Sequence, residues 1–202
     1  MRSPLIPFLI AAAVTLLIGI GVSMEPYFAG DVRAARALQA ATPDSGWWAT
    51  PVSRLAPAPG KYYVIAVTVV AAFFVGGWRG LALMLAFLAL KQSGAEYTKQ
   101  IFQRPRPSPE LIAVVGKPAG YTFPSTTITF FAVTFGVVGV LAAIRRKAPY
   151  RWPVMGLAFG TLLLGCAARV ALGAHWPSDV LLTSVICLSW IWAAGRSVLG
   201  KG

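Results

Sequence analysis

Residues 171 to 180 read ALGAHWPSDV. They hold the single histidine of the chain, His175, and an aspartate four places later, Asp179, and they separate two long apolar runs, 153–172 and 178–195. Each run is close to the roughly 20 apolar residues that cross a hydrocarbon core of about 30 Å as a helix. Working outward, comparable windows occur at 4–23, 61–78, 80–98 and 126–144. Hydrophobic residues make up 57% of the chain and charged residues 12%, and the mean hydropathy is +0.69. That balance excludes an ordinary water-soluble domain.

The runs are continuously apolar and do not alternate, so helices satisfy their backbone groups better than a barrel would. The expected fold is all-α, a bundle of six transmembrane helices forming one integral-membrane domain over 1–202. The first run is read as an anchor and not a signal peptide, because it is long and GVSMEP after it lacks a small-x-small cleavage site. Cys166 and Cys187 fall inside spans, where packing is their expected role.

Six spans place both termini on one side. That side carries Arg2, Arg79, Arg145, Arg146, Lys147, Arg151, Arg196 and Lys201, and the other carries all six acids. The short loop RRKAPYR packs four bases into seven residues, and such loops stay cytoplasmic. The termini are therefore expected in the cytoplasm and the acid-bearing ends outside. Trp78 and Trp152 are expected at the inner interface, and Trp47, Trp48, Tyr62, Tyr63 and Trp176 at the outer one. The net charge of +12 fits attraction to anionic lipid. Nucleic acid is not an expected partner, since no basic face with interleaved aromatics lies outside the spans.

Three segments fall at outer helix ends: KQIFQRPRP (99–107), GYTFPSTT (120–127) and ARVALGAHWPSD (168–179). They offer Lys99, Arg104, Arg106 and Arg169 as cations, and Ser125 with the amides after Pro124 at a helix start. Guanidinium forks, an ammonium and helix N-terminal amides suit a phosphate. If the last helix begins at Pro177, Asp179 lies in its first turn and can accept from one imidazole nitrogen, leaving the other nucleophilic. The blander alternative is that Asp179 only caps that helix.

These residues resemble the type 2 phosphatidic acid phosphatase superfamily of membrane lipid phosphatases, whose signature is K-x6-R-P, then P-S-G-H, then S-R-x5-H-x3-D. Lys99, Arg106 and Pro107 match the first element, and Arg169, His175 and Asp179 the third; the resemblance runs from about residue 60 onward. It implies a phosphoenzyme route in which His175 attacks phosphorus and Asp179 orients it. Lys99, Arg106 and Arg169 would hold the phosphate oxygens, assisted by Ser125 and the Thr126 amide. No cofactor is implied and no metal site is visible. The expected partners are a phosphorylated lipid and the bilayer, and the expected location is a bacterial inner (plasma) membrane with the site extracytoplasmic. Oligomeric state cannot be read from the sequence.

The middle element departs from the pattern, reading Pro124, Ser125, Thr126, Thr127. The family's second histidine, which protonates the leaving group, is absent, and Ala168 replaces the serine of the third element. Thr127 can donate a hydrogen bond but is no general acid near neutral pH. An alkoxide leaving group, with a conjugate acid near that of water at about 15.7, needs a proton. A lipid phosphate leaving from a lipid diphosphate titrates near roughly 6 and needs little help. A polyprenyl (undecaprenyl) diphosphate is thus the expected substrate. A lipid-phosphate phosphotransferase, or a degenerate relative that only binds phosphorylated lipid, is the alternative, and a transporter or structural protein is a more distant one.

Further candidates have blander readings beside them. Arg104 is expected at the rim of the site, with phosphate binding as its second reading. Glu96 could serve as a substitute acid, although pairing with Lys99 at i+3 is the simpler role. Lys91 lies two turns deeper on the Lys99 face, where an ionisable group is either functional or snorkelling. Asp31 is expected to cap an interfacial helix, DVRAARALQAA, that connects the first two spans and either guards lipid access or is passive. Gly156 and Gly160 suit close helix packing, and Pro51 to Pro59 reads as loop.

Overall fold

The computed structural model describes residues 5–145 and 148–199, except for the side chains of Ser93, Ala95 and Glu96. Arg2, Arg146, Lys147, Lys201 and the Glu96 side chain, all invoked above, lie outside the described residues. Every regular element among the described residues is helical: α1 (Ile6–Met24), α2 (Asp31–Ala41), α3 (Gly46–Ser53), α4 (Gly60–Phe102), α5 (Thr126–Ile144), α6 (Arg151–Ala171) and α7 (Pro177–Leu199). Five of these, α1 and α4 to α7, are long and apolar enough to cross a membrane.

The expected spans 61–78 and 80–98 merge into α4, which is broken at Gly77. Gly77 has φ 66° and ψ −163°, a combination open to essentially no residue with a Cβ. A Cβ on Gly80 would lie 2.7 Å from the Ala72 carbonyl oxygen, whereas eight residues along a straight helix separate atoms by about 12 Å. The chain therefore folds back at Gly77. The legs 60–76 and 78–102 are roughly 26 and 37 Å long at 1.5 Å per residue. The second leg outruns the expected boundary at 98 and ends where Gln103 turns left-handed (φ 47°), its N–H donating to the Lys99 carbonyl at 2.9 Å. Two prolines at 105 and 107 then bar any continuation of the helix.

The core forms around α5. Of its most apolar window 72% is buried, against 11% for α1, so α5 is central and α1 peripheral. Phe131, Val137 and Leu141 of α5 meet Leu162 and Cys166 of α6 and Ile191 of α7 in one apolar cluster. A π-helical turn at Ala132–Gly136 interrupts α5. The stretch expected as loop, Pro51 to Pro59, instead begins inside α3, with Pro51 in its helical portion. In α2, Ala35 is buried and Val32 and Leu38 pack against the core, as the amphipathic spacing predicts. The helix starts at Asp31 itself, with Gly30 in the cap position; the Asp31 carboxylate is engaged elsewhere, as described below.

Candidate functional site

The loop carrying His175 is shaped by how α6 ends. Gly173 N–H donates to the Val170 carbonyl at 2.9 Å and Ala174 N–H to the Arg169 carbonyl at 3.1 Å, the paired bonds of a Schellman turn. Gly173 has φ +63°, and a Cβ there would fall 2.0 Å from the Ala113 oxygen, so only glycine fits. The turn delivers His175 into the protein with 2% of its surface exposed. Pro177 then opens α7, and the Asp179 carboxylate reaches back to the Trp176 N–H at 2.9 Å. This is the carboxylate half of a capping box. Asp179 does cap its helix, and it takes part in the site as well.

The expected direct contact between His175 and Asp179 is replaced by an indirect one. Nδ1 of His175 is 3.9 Å from Asp179 Oδ2, beyond hydrogen-bond range. The Thr122 hydroxyl lies between them, 2.7 Å from Asp179 Oδ2 and 3.1 Å from Nδ1. A carboxylate only accepts, so the one hydroxyl proton of Thr122 goes to Asp179 and its oxygen accepts from Nδ1–H. Nε2 is then the unprotonated nitrogen. It faces Ser125 Oγ at 3.3 Å.

Ser125 caps α5, its side chain accepting from Ile128 N–H at 3.4 Å, while its own N–H donates to Thr183 Oγ1 at 3.1 Å. Thr126 and Thr127 form the half-buried first turn behind it.

The pKa of His175 lies well below the usual 6.5, first because the ring is buried and then because Arg169, Arg106 and Lys99 bring positive charge to it. Three cations from two segments far apart in sequence, Lys99 and Arg106 on one and Arg169 on the other, thus bring their charge to one neutral imidazole. Arg106 donates through Nε to the Ala119 and Gly120 carbonyls at 3.0 and 2.9 Å and through Nη1 to the Ala174 carbonyl, which ties the middle segment to the histidine loop. Arg169 donates through Nη1 to Ser53 Oγ at 2.7 Å, and its buried Nε has no hydrogen-bond partner. A buried guanidinium N–H without an acceptor is a donor available to an anion.

Arg104 departs from its expected place at the rim. It is 1% exposed, and its guanidinium bridges Asp179 Oδ1 through Nη1 and Asp31 Oδ2 through Nη2 at 3.3 Å, with the Phe28 ring centroid 4.9 Å away. Its place is behind the Asp179 carboxylate, because two buried carboxylates require a shared counter-charge. Asp31 also accepts from Ser178 N–H at 2.8 Å, Ser178 Oγ at 2.6 Å and Phe28 N–H at 2.9 Å. Trp176 is likewise buried within the protein: it is 1% exposed, packs on Tyr27 with ring centroids 4.9 Å apart, and donates from Nε1 to the Pro105 carbonyl at 3.2 Å.

A largely apolar cavity of about 410 Å³ opens beside the site among α1, α4, α5 and α7. Phe87, Leu90, Phe102, Phe123 and Pro124 help line it, and so does Lys91. The Lys91 ammonium sits 5.7 Å from the Phe130 ring centroid. Two of its lining residues, Phe123 and Pro124, are the sequence neighbours of Thr122 and Ser125.

Thr122, Asp31, Ser178 and Ser53 are the participants that the sequence did not reveal. Thr122 and Ser178 lie within the segments named above and Asp31 and Ser53 outside them, but all are ordinary hydroxyls or an ordinary acid that only the tertiary contacts single out.

Together these features define an integral membrane helical bundle with a lone imidazole among cations at the ends of its helices. Residues 77–201 match the family model described as the PAP2 superfamily, and the chain belongs to that superfamily. Its fold is similar to that in the crystal structure of the first transmembrane PAP2 type phosphatidylglycerolphosphate phosphatase from Bacillus subtilis. The TM-score is 0.62 at 21% identity, over 99% of this chain and 96% of that one. No curated protein matches the chain.

Proposed function

We propose that the protein is a lipid phosphatase that acts on a lipid diphosphate, of the polyprenyl (undecaprenyl) type, through a phosphohistidine at His175 on the extracytoplasmic face of a bacterial plasma membrane. The observation that carries this reading is the buried imidazole whose Nδ1 meets the Asp179-bound Thr122 hydroxyl and whose charge balance is set by Arg169, Arg106 and Lys99, an arrangement that favours Nε2 as the unprotonated nitrogen. In the reaction the Nε2 lone pair forms the bond to the terminal phosphorus. The bridging P–O bond breaks with its electron pair left on the departing lipid phosphate. Water then displaces the imidazole and releases inorganic phosphate. The three cations neutralise the charge that spreads over the transferring group, which is the main demand of phosphoryl transfer.

The choice of a diphosphate rests on Thr126 and Thr127, which stand where a proton donor is expected, in a chain with no second histidine. A leaving group that is already a stable anion suits such a site. The lipid chain would lie in the apolar cavity beside Phe123 and Pro124, within the span of the bilayer. Phosphate release from a panel of lipid mono- and diphosphates, with and without chelator, tests the proposal beside His175→Ala. Metal-independent turnover of polyprenyl diphosphate exceeding that of phosphatidic acid, lost in His175→Ala, is the expected result. Equal rates on the two lipids overturn the substrate choice, and binding without turnover marks a degenerate binder.

A further inference from the structure

The two ring nitrogens of His175 are both met by hydroxyls from one short loop, Thr122 at Nδ1 and Ser125 at Nε2, only three residues apart. The two hydroxyls stand differently. Both are fully buried, but Ser125 meets the reacting nitrogen, whereas Thr122 meets the opposite one and also touches Asp179. The carboxylate of Asp179 is already engaged by Trp176 N–H and by Arg104. At 3.9 Å it does not reach the imidazole itself. The hydrogen-bonded link from this carboxylate to the ring therefore passes through one hydroxyl.

We infer that Thr122 is a positioning residue that relays Asp179 to His175, holding the hydrogen on Nδ1 so that Nε2 is presented unprotonated to the phosphate. This rests on the reading of His175 as the phosphorus nucleophile. When Nε2 bonds to phosphorus the imidazole becomes cationic while keeping its Nδ1 hydrogen. Thr122 then accepts a stronger hydrogen bond from Nδ1–H and is itself polarised by Asp179. The relay is stronger in the transition state than in the resting site, so its loss appears in kcat more than in KM. The backbone holds the hydroxyl in place: Thr122 N–H donates to the Arg104 carbonyl at 2.9 Å, so the residue that neutralises Asp179 also anchors the relay. Because Thr122 and His175 are buried, bulk water does not stand in for a missing hydroxyl.

The test compares T122V, which keeps the shape without the hydroxyl, with T122S, which keeps the hydroxyl. Full-length protein in detergent is assayed on polyprenyl diphosphate. For T122V kcat should fall by about 10- to 100-fold, the usual weight of a hydrogen bond to a charged group, with KM changed by less than about 3-fold. T122S should stay within about 3-fold of the wild type in both constants. If T122V does not fold, T122A against T122S gives the same comparison. Wild-type kcat in T122V or T122A overturns the relay, as does a loss confined to KM or an equal loss in T122S. The reading of His175 fails separately: it falls if His175→Ala retains turnover, and both readings fall if the wild type hydrolyses none of the lipids.

Discussion

Asp31, the first residue of α2, accepts the backbone N–H of Ser178 at 2.8 Å, 147 positions away at the start of α7. Helix N-termini leave orphan donors, and the N-cap position of α7 is occupied by Trp176, which has no side-chain oxygen. Asp31 supplies that acceptor from another helix and at the same time pairs with Arg104, the counter-ion of Asp179. The connecting helix is thus part of the support of the site and more than a passive link. Asp31→Ala removes a cap, worth about 1 kcal/mol, and leaves Arg104 with one carboxylate where it had two. Breaking a buried pair costs about 3–5 kcal/mol. Thermal unfolding in detergent should therefore show a drop of several degrees, accompanied by a fall in kcat. An unchanged melting temperature would remove α2 from the account.

The depressed pKa of His175 has a direct consequence for activity. In the proposed mechanism Nε2 attacks only when unprotonated, so the acid limb of kcat should lie below the ordinary histidine value of 6.5. Burial is the first cause of the shift, and the positive charges of Arg169, Arg106 and Lys99 come next. In Lys99→Met one of those charges is gone, the protonated ring is less disfavoured, and the acid limb should move to higher pH even as kcat falls. The backbone of Thr122 acts in the opposite sense and favours the protonated ring. A pH profile of kcat for wild type and Lys99→Met checks the direction, and a shift toward lower pH would contradict the placement of Lys99 near the ring.

Much of this architecture is legible in the sequence because lipid imposes it. Four helix ends at 126, 144, 153 and 172 are read to within two residues, since an uninterrupted apolar run has one stable form in a bilayer. The convergence of Lys99, Arg106, Arg169 and Ser125 on His175 is likewise expected from their spacing and their shared side. The position of Arg104 is not. An arginine in QRPRP can point to solvent or inward, and which it does depends on Asp31, a partner 73 residues earlier. Nor does the spacing of His175 and Asp179 distinguish a direct contact from one bridged by Thr122. The two differ by about an ångström of loop placement, which is fixed by Gly173 and by the segment at 113.

Gly77 carries the reversal between the legs of α4. Nothing lies within 4 Å of a Cβ built there, so Gly77→Ala tests backbone strain without a clash. Forcing a residue with a Cβ to φ 66° and ψ −163° costs on the order of 1–3 kcal/mol. A melting temperature lowered by a few degrees, with kcat and KM near wild type because the site lies at the far end of the second leg, is the expected outcome. Wild-type stability would mean that the reversal is not strained.

The strongest test of the leaving-group argument restores what the chain lacks. By their resemblance to the family pattern, Thr126 and Thr127, in the first turn of α5 beside Ser125, stand where the P-S-G-H element has glycine and histidine. The double variant Thr126→Gly, Thr127→His introduces an imidazole able to protonate a departing oxygen. General acid catalysis contributes roughly 10²–10⁴-fold where the leaving group needs a proton. Hydrolysis of phosphatidic acid, which expels an alkoxide, should therefore rise by up to about that factor. Hydrolysis of polyprenyl diphosphate, which expels a phosphate titrating near roughly 6, should change little. Rates on both lipids measured side by side give the ratio. If the variant accelerates the diphosphate as much as the monophosphate, leaving-group chemistry does not explain the threonines at 126 and 127, and the substrate preference must be sought in the cavity.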